Sequence, residues 1–398
     1  ACSDDNPCTK KDACDSKGAC VPGPPDPCED NNPCTSNDCS KKSGCINTKS
    51  VNGMSCGYAK HCQSGTCVTQ CGYAVKTLAG STKGNKNGPG YAAQFAMPTG
   101  IDVDSQGNVF VADNPNCQIR KISSTGNVTV YAGSGTCGYQ DGVSSKAKFH
   151  HPFGVAVDRK TGVVYVGDTM NHRIRQIDTK GNVSTLAGDG KAYFKDGMGP
   201  AAQFNEPDGL TVDGNGYLYV VDTLNYRVRK VSPLGQVSTV AGTGNPGDKN
   251  GAALVAELQR MVDVAVDDKV GFYVTELTHN RIRKVSKGIA SVLAGKAGDV
   301  QGKAKDGLGE YAQIKGATGL AIDAKGMLYL ADRNDHSIRR VTAAGLVKTI
   351  AGDGSPGAGN GPGTSAKFFS PEGIAVDDKG TLYVADAGNH RVRVLSPG

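Results

Sequence analysis

The sequence reads VKTLAG at residues 75–80 and RVRVL at residues 391–395, and these two stretches together decide the fold. The first resembles the last strand of a repeating unit, yet it stands before the first complete unit. The second is the third strand of the sixth unit, which has no fourth strand after it. We expect residues 75–80 to supply that missing strand, because a closed ring then removes two open sheet edges that would invite aggregation.

The unit that these stretches complete occurs six times between residues 73 and 398, with a period near 54 residues. Its marker is a strand that ends in an acid. The marker acids are Asp113, Asp168, Asp222, Glu276, Asp332 and Asp386. Each unit reads as four short strands separated by glycine-containing turns. Repeats of this length and content are typical of propeller blades, so we predict an all-β, six-bladed β-propeller over residues 72–398.

The cysteines divide the chain into two parts. Of the 14 cysteines, 12 lie within residues 1–71, in units at about 1–20, 28–45 and 56–71. This density is typical of small disulfide-stapled domains in secreted proteins, whereas zinc sites favour a Cys-x2-Cys spacing that the first two units lack. We therefore predict a cysteine-rich, EGF-like or related domain over residues 1–71, and a secreted, extracellular protein.

Composition and charge argue against several classes of protein. Glycine accounts for 55 of 398 residues without the period of collagen, and no run of about 18 apolar residues could span a membrane. The net charge of +6 divides into −1 over residues 1–71 and +7 over the remainder. Because no run of Lys and Arg exceeds two residues, we expect no nucleic-acid partner.

A short motif in the third strands resembles a known repeat. The stretches Asn171-His172-Arg173-Ile174 and Asn389-His390-Arg391-Val392, with the Leu-Ala-Gly that ends several fourth strands, are similar to the NHL repeat. The other units match it more loosely, and Asn116-Cys117-Gln118 departs most. The resemblance implies a propeller but no single function, because NHL propellers include lyases, RNA binders, receptor modules and structural proteins.

The first strand of each unit is expected to lie nearest the central axis. The second position of this strand varies between units, and we expect these side chains to ring the mouth of the channel. They are Thr99, Phe153, Asp208, Val262, Thr318 and Glu372. In the fourth unit Met261 and Asp263 replace the usual proline and glycine, and Arg260 precedes them. If a ligand binds at the channel, we expect this ring and Arg260 to contact it.

Three histidines, His172, His336 and His390, occupy equivalent places in their units. A zinc-dependent amidating lyase resembles this fold and uses histidine ligands, so a metal site is the alternative that they raise. Blades 2 and 5 face each other across the channel, which puts His172 and His336 too far apart to share one ion. We instead expect the imidazoles, and one arginine per unit, to pair with the marker acids between blades. We predict no cofactor, and zinc bound by these histidines is the alternative.

The acids of the cysteine-rich segment raise a second metal ion as an alternative. Asp-Asn and Asn-Pro pairs favour turns, so we expect solvated turn residues there, with calcium as the alternative. The acids concerned are Asp4, Asp5, Glu29 and Asp30.

Two further features concern covalent chemistry. Cys117 and Cys137 are expected on the same face of the propeller, so a disulfide between them is predicted. The tripeptides that begin at Asn127 and Asn182 are N-glycosylation sequons, and both follow glycine turns on the opposite face. Both asparagines are expected to be exposed and are candidate glycosylation sites.

The functional expectation is a non-catalytic extracellular binding or structural module. The loop face of the propeller and the cysteine-rich domain would contact protein or glycan partners, or build a larger extracellular assembly by self-association. The alternative is a metal-dependent lyase or hydrolase that acts at the channel mouth. The sequence shows none of the Gly-x-Ser-x-Gly, His-Glu-x-x-His or phosphate-loop patterns of common enzymes, and we therefore favour the binding module.

Overall fold

The computed structural model describes residues 72–298 and 302–397, together with the backbone of three short hairpins among residues 1–71. The chain divides into two compact units, Ala1–Tyr73 with Pro397–Gly398, and Ala74–Ser396. The hairpins of the first unit are Ala13–Cys14 with Cys20–Val21, Thr35–Ser40 with Gly44–Lys49, and His61–Gln63 with Thr66–Val68. The predicted disulfides, and the calcium alternative, of residues 1–71 involve side chains outside the described residues.

Within residues 73–397, the strands form six antiparallel sheets of five strands each, and the predicted six-bladed β-propeller is confirmed. We number the blades 1 to 6 and name their strands inner, second, third, outer and edge, from the axis outwards. The inner strands are Pro98–Val103, Val155–Val157, Pro207–Val212, Met261–Asp267, Ala317–Ile322 and Pro371–Val376. The second strands, which end in the marker acids, are Val109–Asp113, Val164–Asp168, Leu218–Asp222, Gly271–Glu276, Leu328–Asp332 and Leu382–Asp386.

The outer half of each blade completes the sheet. The third strands are Gln118–Ile122, Arg173–Ile177, Arg227–Val231, Arg281–Ser286, Ser337–Val341 and Arg391–Pro397. The outer strands of blades 1 to 5 are Asn127–Ala132, Asn182–Ala187, Gln236–Ala241, Ile289–Gly295 and Leu346–Ala351, and that of blade 6 is Tyr73–Ala79. Apolar side chains of successive sheets pack together, so the hydrophobic core lies between blades rather than at the axis.

The edge strands correct the expectation of four strands per blade. They are Gly88–Pro89, Gly142–Val143, Gly197–Met198, Gly251–Ala252, Gly307–Leu308 and Gly361–Pro362. Each begins with the glycine of an Asn-Gly or Asp-Gly pair in the loop between blades. In blade 1, Gly88 lies opposite Val128 in the outer strand and has a φ of 140°, a value that favours glycine. The loop that the sequence predicted is therefore partly a fifth strand.

Short 3-10 turns lie in both sets of connecting loops. Those between second and third strands are Asn114–Asn116, Thr169–Asn171, Thr223–Asn225, Arg333–Asp335 and Ala387–Asn389. Those between blades are Gly90–Ala92, Gly199–Ala201, Ala253–Val255, Gly309–Tyr311 and Gly363–Ser365. The Met170 N–H donates to the His150 carbonyl at 3.1 Å, which places the two sets of loops on one side, the loop face. No helix among the described residues could cross a membrane.

Ring closure depends on the strand Tyr73–Ala79. It lies in the sixth sheet between Gly361–Pro362 and Arg391–Pro397, so the two ends of the propeller sequence share one blade. Val75 and Ala79 on this strand are buried. Gly80 directly follows this strand and has a φ of 95°. A Cβ atom on Gly80 would stand 2.5 Å from the His390 carbonyl oxygen. The glycine that ends the VKTLAG stretch is therefore required by the close approach of the last blade.

One buried arginine organises each blade. These arginines are Arg120, Arg175, Arg229, Arg283, Arg339 and Arg393, and all are fully buried. Each pairs with the marker acid of its own blade, at 2.6 to 3.3 Å. The expectation that this pairing runs between blades was wrong, because the second and third strands already place acid and arginine side by side.

The same guanidinium also fixes the loop between blades. In blade 3, Arg229 donates to the Gln203 and Lys195 carbonyls and to Asp196 of the Asp-Gly pair. Phe204 packs against its guanidinium, with the Cζ atom 5.0 Å from the ring centroid. The second oxygen of Asp222 accepts from the Asn205 N–H at 2.7 Å. One ion pair thus joins two strands and a long loop.

We predict that Arg229→Met lowers the free energy of unfolding by about 3–5 kcal/mol, because it leaves the Asp222 carboxylate buried without its partner. Urea denaturation of the full chain measures this. The double variant Arg229→Met/Asp222→Asn should recover part of the loss. Arg340→Met, in the third strand of blade 5 and partly exposed, should stay within about 0.5 kcal/mol of the parent. A loss under about 1 kcal/mol in Arg229→Met contradicts the prediction.

A second prediction concerns the closing strand. Val75→Asp places a charge at a position that is 1% exposed, and should cost several kcal/mol and promote aggregation, because the third strand of blade 6 loses its neighbour. Lys76→Asp, one residue away and exposed, is the matched control. Thermal unfolding and light scattering measure both, and equal behaviour of the two variants would contradict the closure.

Candidate functional site

The inner strands enclose a channel that contains a cavity of about 290 Å³. Five of the six predicted mouth residues occupy the second position of their inner strand, and Phe153 stands two residues before the short inner strand of blade 2. Neighbouring strands are joined directly here, since the Gly100 N–H donates to the Phe153 carbonyl at 2.8 Å. The six positions therefore follow one another around the loop-face end of the channel.

Three of these six side chains serve the scaffold. The Thr99 hydroxyl donates to the Phe153 carbonyl at 3.0 Å, and the Thr318 hydroxyl donates to the Pro371 carbonyl at 3.2 Å. Each of these bonds joins one blade to the next. Val262 is buried at 5% exposure. Phe153 and Glu372 line the cavity, as does the apolar Val262, and Asp208 directly precedes Gly209, which also lines it.

Asp208 and Glu372 lie in blades 3 and 6, on opposite sides of the channel, and each is only 8% exposed. Burial raises the pKa of Asp208 to about 7, although the Thr223 hydroxyl, which donates to it at 3.0 Å, opposes the shift. Burial also raises the pKa of Glu372 to about 7, opposed by the charges of Arg333 and Arg260. The two carboxyl groups can therefore gain or lose a proton near neutral pH.

Two arginines accompany this carboxyl pair. Arg333, in the turn of blade 5, forms an ion pair with Glu372 at 2.8 Å. Arg260 is exposed and directly precedes the inner strand of blade 4, and its positive charge opposes the rise in the pKa of both Asp208 and Glu372. The sequence singled out Arg260 because the fourth unit departs from the pattern there. It missed Arg333, since only the ring shows that the turn of blade 5 reaches the mouth residue of blade 6.

Two further channel carboxylates bridge blades from within. Asp102 accepts from the Val157 N–H of the next blade at 2.8 Å, and Asp263 accepts from the Leu320 N–H of the next blade at 2.8 Å. Burial raises the pKa of Asp263 to about 7. Asp263 replaces the glycine found in the other inner strands, a signal that was visible in the sequence. Both carboxylates satisfy backbone donors, so we assign them to the scaffold.

Arg159 lies at the opposite, hairpin end of the channel. Its guanidinium donates to the Val103 carbonyl of blade 1 and to the Val376 carbonyl of blade 6, at 3.1 and 2.8 Å. It also pairs with Asp378 at 2.8 Å. One side chain from blade 2 thus binds the two blades that precede it in the ring, at the end of the channel opposite the mouth.

The three equivalent histidines hold neighbouring blades together. The Nδ1 atom of His172 accepts from the Glu206 N–H at 3.1 Å, that of His336 from the Ser370 N–H at 3.1 Å, and that of His390 from the Met97 N–H at 3.2 Å. Each donor precedes the inner strand of the next blade. The imidazoles therefore bond to backbone, not to the marker acids as expected. The described residues contain no group of three His, Cys, Asp or Glu placed to hold a metal ion.

Cys117 takes the histidine position in blade 1. It is bonded to Cys137, with the two Cα atoms 5.2 Å apart, and Cys137 belongs to the loop that leads to blade 2. A disulfide therefore links blade 1 to blade 2 at the position where blades 2, 5 and 6 have an imidazole. The sequon residues Asn127 and Asn182 are exposed at the starts of their outer strands.

Two known families match parts of this propeller. The NHL repeat matches residues 368–395, which include the Asn389-His390-Arg391 stretch. The chain carries an NHL repeat. The SMP-30/Gluconolactonase/LRE-like region matches residues 101–245, from the inner strand of blade 1 to the outer strand of blade 3. Both matches agree with the six-bladed architecture.

Individual relatives agree with the propeller. NHL repeat-containing protein 2 of Bos taurus is 34% identical over 181 residues, which are 42% of this chain and 24% of that protein. Teneurin-3 of Mus musculus is 27% identical over 364 residues, 79% of this chain and 13% of that protein. An auxiliary nutrient binding protein from Bacteroides thetaiotaomicron superposes with a TM-score of 0.62 and 15% identity, over 84% of this chain and 79% of that one. This last likeness shows the fold alone, and the chain spans less than a third of either sequence relative.

The histidine bonds predict a dependence of stability on pH. Burial lowers the pKa of His390 below its usual 6.5, so the unfolded chain binds more protons, and stability is lost as pH falls through 6.5. His390→Asn introduces asparagine, the residue that blade 4 has at the equivalent position, Asn280. This variant should lose less stability on acidification than the parent, and the difference should be at most about 1.4 kcal/mol per pH unit.

Urea unfolding at pH 7.5 and 5.5 measures the difference between the parent and His390→Asn. Tyr226→Asn changes the equivalent residue of blade 3 without removing an imidazole, and should keep the parent's dependence. If His390→Asn loses as much stability as the parent between the two pH values, the role assigned to this imidazole is wrong.

Proposed function

We propose that this chain is a non-catalytic binding or structural module that works outside the cell. The loop face of the propeller and the cysteine-rich domain contact protein or glycan partners, and self-association into a larger assembly is one form of that role. The mouth carries the proposal: it presents the exposed guanidinium of Arg260 together with the carboxyl groups of Asp208 and Glu372. A rigid ring that presents such groups is suited to recognition.

Two further observations support a binding role in an oxidising compartment. A density of twelve cysteines within residues 1–71 is typical of secreted, disulfide-stapled domains. The structural relative from Bacteroides thetaiotaomicron is named a nutrient binding protein, and it shares the propeller. We extend binding, but not its ligand, from that relative to this chain.

The test is a binding screen with the full chain, against arrays of extracellular glycans and extracellular protein domains, with sedimentation to detect self-association. A partner that uses the mouth should bind about two- to fivefold more weakly to Arg260→Gln, while Lys121→Gln, on the third strand of blade 1 away from the mouth, should leave binding unchanged. The proposal fails if the intact chain shows no partner and no self-association but turns over a substrate.

The carboxyl pair favours a second candidate, a hydrolase or lyase. Asp208 and Glu372 face each other across the channel and have pKa values of about 7, as general acids and bases do. The match to the SMP-30/Gluconolactonase/LRE-like region points the same way. The described residues contain no group of three His, Cys, Asp or Glu placed to hold a metal ion, and the role given to the two carboxyl groups here is proton transfer. Sugar lactones are the first substrates to test, and Glu372→Gln should lower any turnover at least about 100-fold.

A further inference from the structure

The loop face exposes large apolar side chains on one side of the mouth. Met97, Met170, Leu224 and Phe369 come from blades 1, 2, 3 and 6, which are consecutive in the ring, and each is between 39 and 44% exposed. We call these four residues the apolar arc. Scattered exposed apolar residues are common, but four at neighbouring positions of one face are typical of an interaction site.

Hydrogen bonds join the four residues of the arc in two neighbouring pairs. The Gly388 N–H donates to the Phe369 carbonyl, and His390, at the end of the same turn, accepts from the Met97 N–H. These contacts place Phe369 and Met97 on either side of one turn.

The other half of the arc is joined in the same way. The turn that carries Met170 ends at His172, which accepts from the Glu206 N–H. The Leu224 N–H donates to the carbonyl of the adjacent Asn205. Met170 and Leu224 are thus held beside one another across the joint between blades 2 and 3.

The remaining two blades carry the arginines that lie at the mouth. Arg260 in blade 4 occupies the position that Met97 occupies in blade 1, directly before the strand residues at the mouth. Arg333 in blade 5 is 37% exposed at its side chain although it pairs with Glu372. The exposed apolar side chains of the loop face therefore come from blades 6, 1, 2 and 3, and the guanidinium groups come from blades 4 and 5, while the mouth carboxyl groups Asp208 and Glu372 are each only 8% exposed.

We propose that the loop face binds a protein segment in which apolar side chains lie next to a carboxylate. This inference rests on the proposed function and names the partner of the same face. The apolar side chains of the segment pack on the apolar arc, and its carboxylate pairs with Arg260. Charge complementarity selects this occupant, because a segment with Lys or Arg at that point would meet the exposed guanidinium of Arg260.

The experiment uses the full chain labelled with ¹³C at the methionine methyl groups, and records their NMR signals during titration with a blocked peptide, acetyl-Gly-Leu-Phe-Asp-Leu-Gly-amide. The Met97 and Met170 signals should shift, with a dissociation constant of about 1 mM or below. Met198, which is 51% exposed but lies on an edge strand, and buried Met261 are the internal controls.

Charge specificity is tested with a twin peptide that carries Asn in place of Asp. It should bind about two- to fivefold more weakly to the parent, as expected for an exposed ion pair. The Arg260→Gln variant should bind both peptides equally, whereas Arg340→Gln, distant from the mouth, should keep the preference.

Three results would overturn the inference. They are no shift of Met97 and Met170 with the peptide, an equal shift of Met198, and the same peptide preference in Arg260→Gln as in the parent. A neutral oligosaccharide that shifts Met97 and Met170 more strongly than the peptide also overturns it, in favour of a glycan partner. That last result leaves the proposed binding module intact, so the two proposals can fail separately.

Discussion

The ion pair between the buried arginine and the acid at the end of the second strand is the interaction on which the rest of the propeller depends. Two charges without access to water are stable only if their remaining donors and acceptors are satisfied. Here the arginine also bonds to loop carbonyls and, in several blades, to the Asn or Asp of the edge turn. The need to satisfy one buried charge thus fixes the third strand, the edge strand and the long loop of every blade.

Much of the fold could be predicted because this requirement leaves a mark in every unit. The acid, the arginine seven residues later and the Asn-Gly or Asp-Gly pair recur at a constant spacing, so the count of blades follows directly. The displaced VKTLAG stretch indicates where the ring closes. The fifth strand was not predicted, since a two-residue strand has no periodicity of its own and forms only because the loop lies against the outer strand.

The site was less predictable because its residues act across blades. Their positions around the mouth follow from the strand pattern, but what each side chain contacts does not. Thr99 and Thr318 turned out to bond to the carbonyls of neighbouring blades, and Arg333 to pair with Glu372. Such contacts depend on the curvature of the ring, which brings together residues about 40 to 55 positions apart in the sequence. Only Asp263 and Arg260 stood out beforehand, because their unit breaks the pattern.

The disulfide between Cys117 and Cys137 makes one joint of the ring chemically unlike its neighbours. Acid weakens the joints at which an imidazole accepts a hydrogen bond from a backbone N–H. These joints lie between blades 2 and 3, 5 and 6, and 6 and 1. A reductant acts instead on the joint between blades 1 and 2. Acidification and reduction are therefore expected to weaken different joints between blades, three held by an imidazole and one held by a disulfide.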